Sequence, residues 1–190
     1  MDKHRLSAML QTVALGCLCV LLVNGLMGQP LYCRCGALKI VSLEVFSRHN
    51  SQHLLDPYSL THAMHGVLLA GLFRLIPWSS LQAHRFQAVI VMETLWELIE
   101  NSPMVIQRYR TATSSLDYSG DSIVNSFGDI LSCSAGYLVF YLLGSRKSTV
   151  IFIASELLLV LTIRDCLLLN ILMLAWPIET IKAWQLEANF

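Results

Sequence analysis

The feature that most constrains this chain is a series of apolar runs, each near the length that a helix needs to cross a lipid bilayer, with carboxylates set inside them. A helix rises 1.5 Å per residue, so about 20 apolar residues span the hydrocarbon layer. Leu6 to Met27 carries no charge, and Leu60 to Pro77 holds His62, His65 and Arg74. Phe86 to Ile106 holds Glu93, Glu97 and Glu100, Ile123 to Leu143 holds Asp129, and Ser148 to Ile163 holds Glu156. Cys166 to Ile178 is too short to span alone. It is expected to lie at the interface, to re-enter, or to continue a long tilted fifth helix. The fold class expected is therefore all-α: a polytopic transmembrane bundle of about five spans (6–27, 60–77, 86–106, 123–143 and 148–163) with a short C-terminal segment, 166–178, in one integral membrane domain, 1–190. Lys3 and Arg5 ahead of the first run also fit a signal peptide, but no small-x-small cleavage site follows, so an uncleaved helix is expected.

Composition agrees. Hydrophobic residues make up 55% of the chain and charged residues 14%, against about 25% charged in a soluble domain, and mean hydropathy is +0.57. Net charge is zero and the pI about 7, which excludes the basic surface that binds nucleic-acid phosphates. The partners expected are membrane lipids instead. Lysines and arginines divide almost evenly between the two sides. Those nearest the first run and in the tightest turn, Lys3, Arg5, Arg85, Arg146 and Lys147, favour a cytoplasmic N terminus and a periplasmic opposite face.

With five spans, the C-terminal ends of runs one, three and five share a face with the N-terminal ends of runs two and four, whichever way the chain inserts. That face receives the loop Gln29 to Tyr58 with "CRCG" and "HNSQH", the histidines of "THAMH", "ENSP", "QRYRTATSSLDYSGDS" and the pair Arg164–Asp165. At 100° per residue, Glu93, Glu97 and Glu100 project within about 60° of one another, as do His62 and His65, while Asp121, Asn125 and Asp129 form a stripe. Polar side chains at membrane depth face one another or a wet cavity. An excess of buried carboxylate has to be protonated, paired or neutralised by a metal ion.

Carboxylates and imidazoles suit zinc, manganese or iron, so His62, His65, Glu97 and Asp129 are candidate ligands of a divalent metal. Glu97, Glu100, Asp121 and Asp129 are candidate catalytic acids and bases. Arg108, Arg110 and Arg164, with Asn125, are candidate binders of an anionic group such as a lipid phosphate. The structural readings set against these are a hydrogen-bonded polar network, arginines that pair locally or anchor helix ends, and simple capping by Asp121. "THAMH" is not HExxH, "DYSGDS" is not the GxSG of rhomboid-like proteases, and "RYRTAT" lacks the blocks of lipid phosphatases. Cys17, Cys19, Cys133 and Cys166 lie in apolar runs as packing residues. Cys33 and Cys35 are expected as two loose thiols, with a strained, labile disulfide as the other option.

At "NSQH", "TxxxHG", "WExxENxPMxIxRYRxxTxSLDYxGDSxxNSxxD" and "IRDxLxLNxxMLxWPxxxIKAWQ" the chain resembles a family of small bacterial multi-pass membrane proteins of the uncharacterised, domain-of-unknown-function type, over roughly residues 27–185. The "GDSxxNxxxD" helix is also similar to VanZ-type membrane proteins. The family resemblance implies the bacterial inner membrane and supplies no activity or catalytic residues. The function expected is a metal-dependent enzyme acting on a lipid or lipid-linked anionic substrate. The alternatives are a small proton- or cation-coupled transporter relaying through Glu93, Glu97 and Glu156, and a non-catalytic membrane assembly protein.

Overall fold

The computed structural model describes residues 3–37 and 39–187. Eight helices follow in order: α1 (Lys3–Leu26), α2 (Tyr58–Leu75), α3 (Ser79–Ala83), α4 (Arg85–Glu100), α5 (Pro103–Ala112), α6 (Ile123–Ile163), α7 (Leu167–Ala175) and α8 (Glu179–Leu186). The all-α expectation holds, since the only extended pairing among the described residues is the single bridge Val41–Leu55. By length and composition, α1 alone passes as a membrane-crossing helix. The bent pair α6–α7, at 73°, passes when taken together. Apolar length therefore supports one span, or two with the bent pair.

The two last expected runs are one helical hairpin. Gly128 lies against Leu54, Gly136 against Ala63 and Gly71 against Phe140, so the first half of α6 runs alongside α2 in the same direction. Ile151 and Phe152 then pack with Met64, Val67 and Ala70, while Leu159 and Ile163 reach Tyr58 and Leu60 at the start of α2. A straight helix of 41 residues would be ~60 Å long and could not return there. The reversal sits at Gly144, whose φ of 74° and ψ of 171° suit a residue without a Cβ. The approach to α2 is close: a Cβ on Gly66 would overlap the carbonyl of Cys133, and one on Gly136 the carbonyl of Ala63. Small residues of this kind let helix backbones meet.

The expected run Phe86–Ile106 is not one helix. It breaks after α4, because Pro103 holds the residue before it out of the helical region and Ser102 then caps α5, its Oγ accepting from Val105 N. Nor is 166–178 a continuation of α6. Arg164 adopts a left-handed conformation (φ 52°) that ends α6, and Glu156 reaches across to accept from the first amides of α7, Leu167 N at 3.1 Å and Leu168 N at 2.9 Å. That carboxylate satisfies N–H groups which a helix start leaves without partners.

Val20, Phe86, Val89, Ile90, Ile130 and Cys133 knit α1, α4 and the first half of α6 into the central core. Leu10, Leu22, Leu142, Val150 and Leu161 project outwards, exposed. His4, Arg5, Arg74, His84 and Arg85 gather with Gly144 around a groove at one end of the bundle. The expected grouping of helix ends holds at the other. Ile123 N and Val124 N donate to Pro30 O and Leu31 O, Asn101 meets Asp121, and Tyr58 Oη donates to Asp165.

Candidate functional site

That second end builds a polar chamber from α2, α4, α6 and the loops between them. Asp56 Oδ1 accepts from Ser59 N while Ser59 Oγ accepts from Asp56 N, both at 3.1 Å. This reciprocal cap fixes the first turn of α2. The same Ser59 Oγ donates to Asp129 Oδ1 at 3.1 Å, tying that turn to α6. Asn101, at the break between α4 and α5, accepts from Asp121 N at 2.7 Å and donates to Asp121 Oδ2 at 2.9 Å and to Glu97 O at 3.0 Å. Asn125 donates to His53 O at 2.8 Å, holding the loop before α2 against α6.

At the centre stands His62. Its Nδ1 is 2.6 Å from Glu93 Oε1 and 3.3 Å from Glu97 Oε1, and its Nε2 is 4.0 Å from Asp129 Oδ2. His65 Nδ1 sits 3.0 Å from Glu93 Oε2, and the two imidazoles meet edge to face at 5.0 Å. The histidine pair of α2 and the glutamates of α4 thus face one another, since one turn of helix sets both the His62–His65 and the Glu93–Glu97 spacing, and of the third expected stripe Asp129 reaches the same place. A cavity of about 140 Å³ opens beside them, lined by His62, His65, Glu100, Asp121 and Asp129 with Trp96 and Ile171.

Charge in this chamber is one-sided. Asp56, Glu93, Glu97, Glu100, Asp121 and Asp129 are all buried, and among the described residues no lysine or arginine lines the cavity. Glu97 is the extreme case: it is 0% exposed, and neither carboxylate oxygen has a hydrogen-bond partner among the described residues. The Nδ1 of His62 carries at most one proton, and Glu93 is the nearer acceptor. Burial, with the neighbouring Asp121 charge, pushes Asp56 up to about 6. Burial also raises Asp121, against the hydrogen bonds from Tyr118 and Asn101 that hold it down.

Two compact groups offer ligand atoms within 4.8 Å of one another: His62 with His65 and Glu93, and His62 with Glu97 and Glu100. These groups include His62, His65 and Glu97 of the expected set, add Glu93 and Glu100, and leave out Asp129. Both histidines share Glu93, which lies one turn from Glu97 and was expected in a relay, while Asp129 is the more distant neighbour of His62. Asp121 precedes α6 and is engaged by Asn101 and Tyr118 rather than standing on the helix stripe.

The three arginines do not converge on the cavity. Arg108 Nε donates to Leu174 O at 2.8 Å, Arg110 Nε to Tyr118 O at 2.5 Å, and Arg164 to Trp184 O at 2.7 Å. Each fastens a loop or a C-terminal helix to the bundle, because α5 leaves α4 at Asn101 and carries Arg108 and Arg110 with it. Glu156, the other expected relay group, is committed to the start of α7. Asp56, Ser59, Tyr109, Tyr118 and Asn101 escaped the sequence reading. Only the D-x-x-S pattern of Asp56 and Ser59 ahead of an apolar run carried a signal.

Comparison with known proteins places the chain. The profile described as "Protein of unknown function (DUF2585)" matches residues 24–187. A UPF0314 protein of Rhizobium meliloti (strain 1021) is 44% identical over 189 residues, covering 97% of this chain and 94% of the relative. One from Brucella anthropi is 40% identical over 182 residues, covering 92% of each. One from Paracoccus denitrificans is 41% identical over 159 residues, covering 83% and 82%. No solved structure matches. The chain belongs to the DUF2585 family, whose UPF0314 relatives are bacterial proteins.

Proposed function

We propose that this chain is a multi-pass protein of the bacterial inner membrane whose acid–histidine chamber binds a divalent metal ion and acts on a lipid or lipid-linked anionic substrate. The spans would be α1, α2, α4 and the two halves of α6. The exposed leucines of α1 and α6, with Val150 and Ile153, support this reading, since a large apolar exterior needs a matching solvent. The basic groove of His4, Arg5, Arg74, His84 and Arg85 fits the cytoplasmic end and supports a chamber that would open to the periplasm.

The observation that carries the reading is Glu97, a fully buried carboxylate without a donor for either oxygen, amid five further buried acids. An uncompensated buried anion is costly, and a divalent cation held by His62, His65, Glu93, Glu97 and Glu100 would neutralise it. When bound, such an ion would supply Lewis-acid polarisation of a phosphoryl or carbonyl oxygen and a more acidic water. Asp129 and Asp121 then stand at the cavity wall to exchange protons. An anionic headgroup would be recognised by the metal, since Arg108, Arg110 and Arg164 are engaged elsewhere.

Elemental mass spectrometry on detergent-purified protein tests this. Glu97→Gln and Glu93→Gln are each expected to lower transition-metal content by about one equivalent per chain, with helical circular dichroism retained. Unchanged metal content in both folded variants would overturn the reading. A proton relay through Glu93 and Glu156 has less support, because Glu156 is committed to capping α7.

A further inference from the structure

The loop between α1 and α2 gathers a second set of metal-ligating side chains, outside the chamber and unused by its chemistry. Cys33 Sγ and Cys35 Sγ each lie 3.7 Å from His49 Nδ1, and His53 Nε2 lies 3.1 Å from the same nitrogen. One imidazole nitrogen offers a single proton or a single lone pair. It can hydrogen-bond well to one of those three atoms, not to all of them. Three ligand-type atoms converging on it are what a cation shared among the four produces.

The spacings fit zinc. With Zn–S near 2.3 Å and Zn–N near 2.0–2.1 Å in a tetrahedron, neighbouring sulfur and nitrogen ligands stand about 3.6 Å apart and two nitrogens about 3.3 Å apart. The observed separations are 3.7, 3.7 and 3.1 Å, and Cys33, His49 and His53 form a mutually compact trio. Cys33 and His53 are buried, His49 is half-buried, and the exposed Cys35, already 3.7 Å from His49 Nδ1, supplies the fourth ligand atom. Both cysteines are unpaired as disulfides. Each sulfur also accepts a backbone amide at 3.4 Å, Cys33 from Cys35 N and Cys35 from Ala37 N, an outer layer of the kind that orients metal-bound ligands. In sequence the set reads C-x-C-x13-H-x3-H. Its histidine spacing falls in the range of structural zinc sites, and its cysteine spacer is one residue short of it.

We propose that Cys33, Cys35, His49 and His53 bind one structural zinc ion that pins this loop across the mouth of the central cavity. The site is a short step from the chamber: Asn50 and Ser51 line the cavity, Ser51 N donates to Asp56 Oδ2, and His53 O accepts from Asn125. Zinc would also keep the two thiols from oxidising on a periplasmic face.

Cobalt titration of the full chain, stripped with a chelator in detergent, tests the site independently of the chamber. About one equivalent of Co²⁺ is expected to give thiolate-to-cobalt charge-transfer absorption with the visible bands of a tetrahedral centre, displaced by Zn²⁺. Cys33→Ser and His53→Gln abolish that absorption, whereas Glu97→Gln and Cys133→Ser retain it. A second readout uses the wild type alone. Cys35 is alkylated by iodoacetamide in the stripped protein and shielded once Zn²⁺ is added, with the modified peptide located by mass spectrometry. Cobalt uptake without charge-transfer absorption, absorption that survives Cys33→Ser, or equal alkylation of Cys35 with and without Zn²⁺ would each overturn the proposal. Transition-metal content unchanged by Glu97→Gln and Glu93→Gln, with this absorption intact, would reject the chamber reading and leave the zinc site standing.

Discussion

Among single residues, burial governs the chemistry. Asp165 lies outside the expected spans, 5% exposed, with its carboxylate accepting from Tyr58 Oη and Cys166 N. Burial raises it from 3.8 to about 6 despite those donors. A carboxyl raised in the folded state binds its proton more tightly there than in the unfolded chain. Its contribution is complete below about pH 4 and is lost as pH rises through about 6. At ~1.4 kcal/mol per pKa unit the swing is ~3 kcal/mol. The thermal midpoint of the detergent-solubilised protein is therefore expected to fall between pH 4 and pH 7, and to fall less in Asp165→Asn. An equal fall in both would place the pH dependence in other groups, Asp56 first among them.

At the level of elements, the tightest joint is between α2 and α6. Gly136 sits where any Cβ meets the Ala63 carbonyl, a backbone atom that cannot turn aside. Gly136→Leu is expected to cost at least the ~1–3 kcal/mol typical of overpacking and to lower the thermal midpoint by several degrees. Ala135→Leu, one position away on the exposed side, should leave it nearly unchanged. Equal effects of the two would mean that the α2–α6 approach is not what holds the hairpin. The same joint shows where sequence reading succeeds and stops. The runs 123–143 and 148–163 were legible from apolar length, and a turn between them was expected. The break at "NSP" was spelled by Pro103 and Ser102, yet apolar residues on both sides outweighed it in a reading based on run length. The short apolar segment 166–178, which contains α7, was legible too, but its angle to α6 depends on Glu156 accepting from the Leu167 and Leu168 amides, and α8 is held by Arg164 donating to Trp184 O, contacts that no run length spells.

For the molecule as a whole, the two ends differ in charge and in content. One carries the basic groove, the other the chamber and the long loop with its cysteines and histidines. In a background with the native cysteines replaced by serine, a cytoplasmic N terminus predicts that a membrane-impermeant maleimide labels a Leu43→Cys variant in spheroplasts and a Ser145→Cys variant only after lysis. The reverse pattern would invert the orientation, and labelling of both in intact spheroplasts would remove the membrane-spanning reading itself.

The sequence alone determined that the chain is helical, that its apolar runs are interrupted by acids and histidines at helical spacing, and that these polar groups fall at one end. Those properties follow from periodicity and run length, which are local. Only the tertiary structure decided which groups meet. It set Glu93 rather than Asp129 between the two histidines, carried Arg108 and Arg110 away from the cavity on α5, and folded the loop so that Cys33, Cys35 and His53 meet one nitrogen of His49. Contacts of that kind join residues far apart in the chain. They depend on the depth at which each helix packs and on the angle at which it breaks, and neither is written in the spacing of one segment.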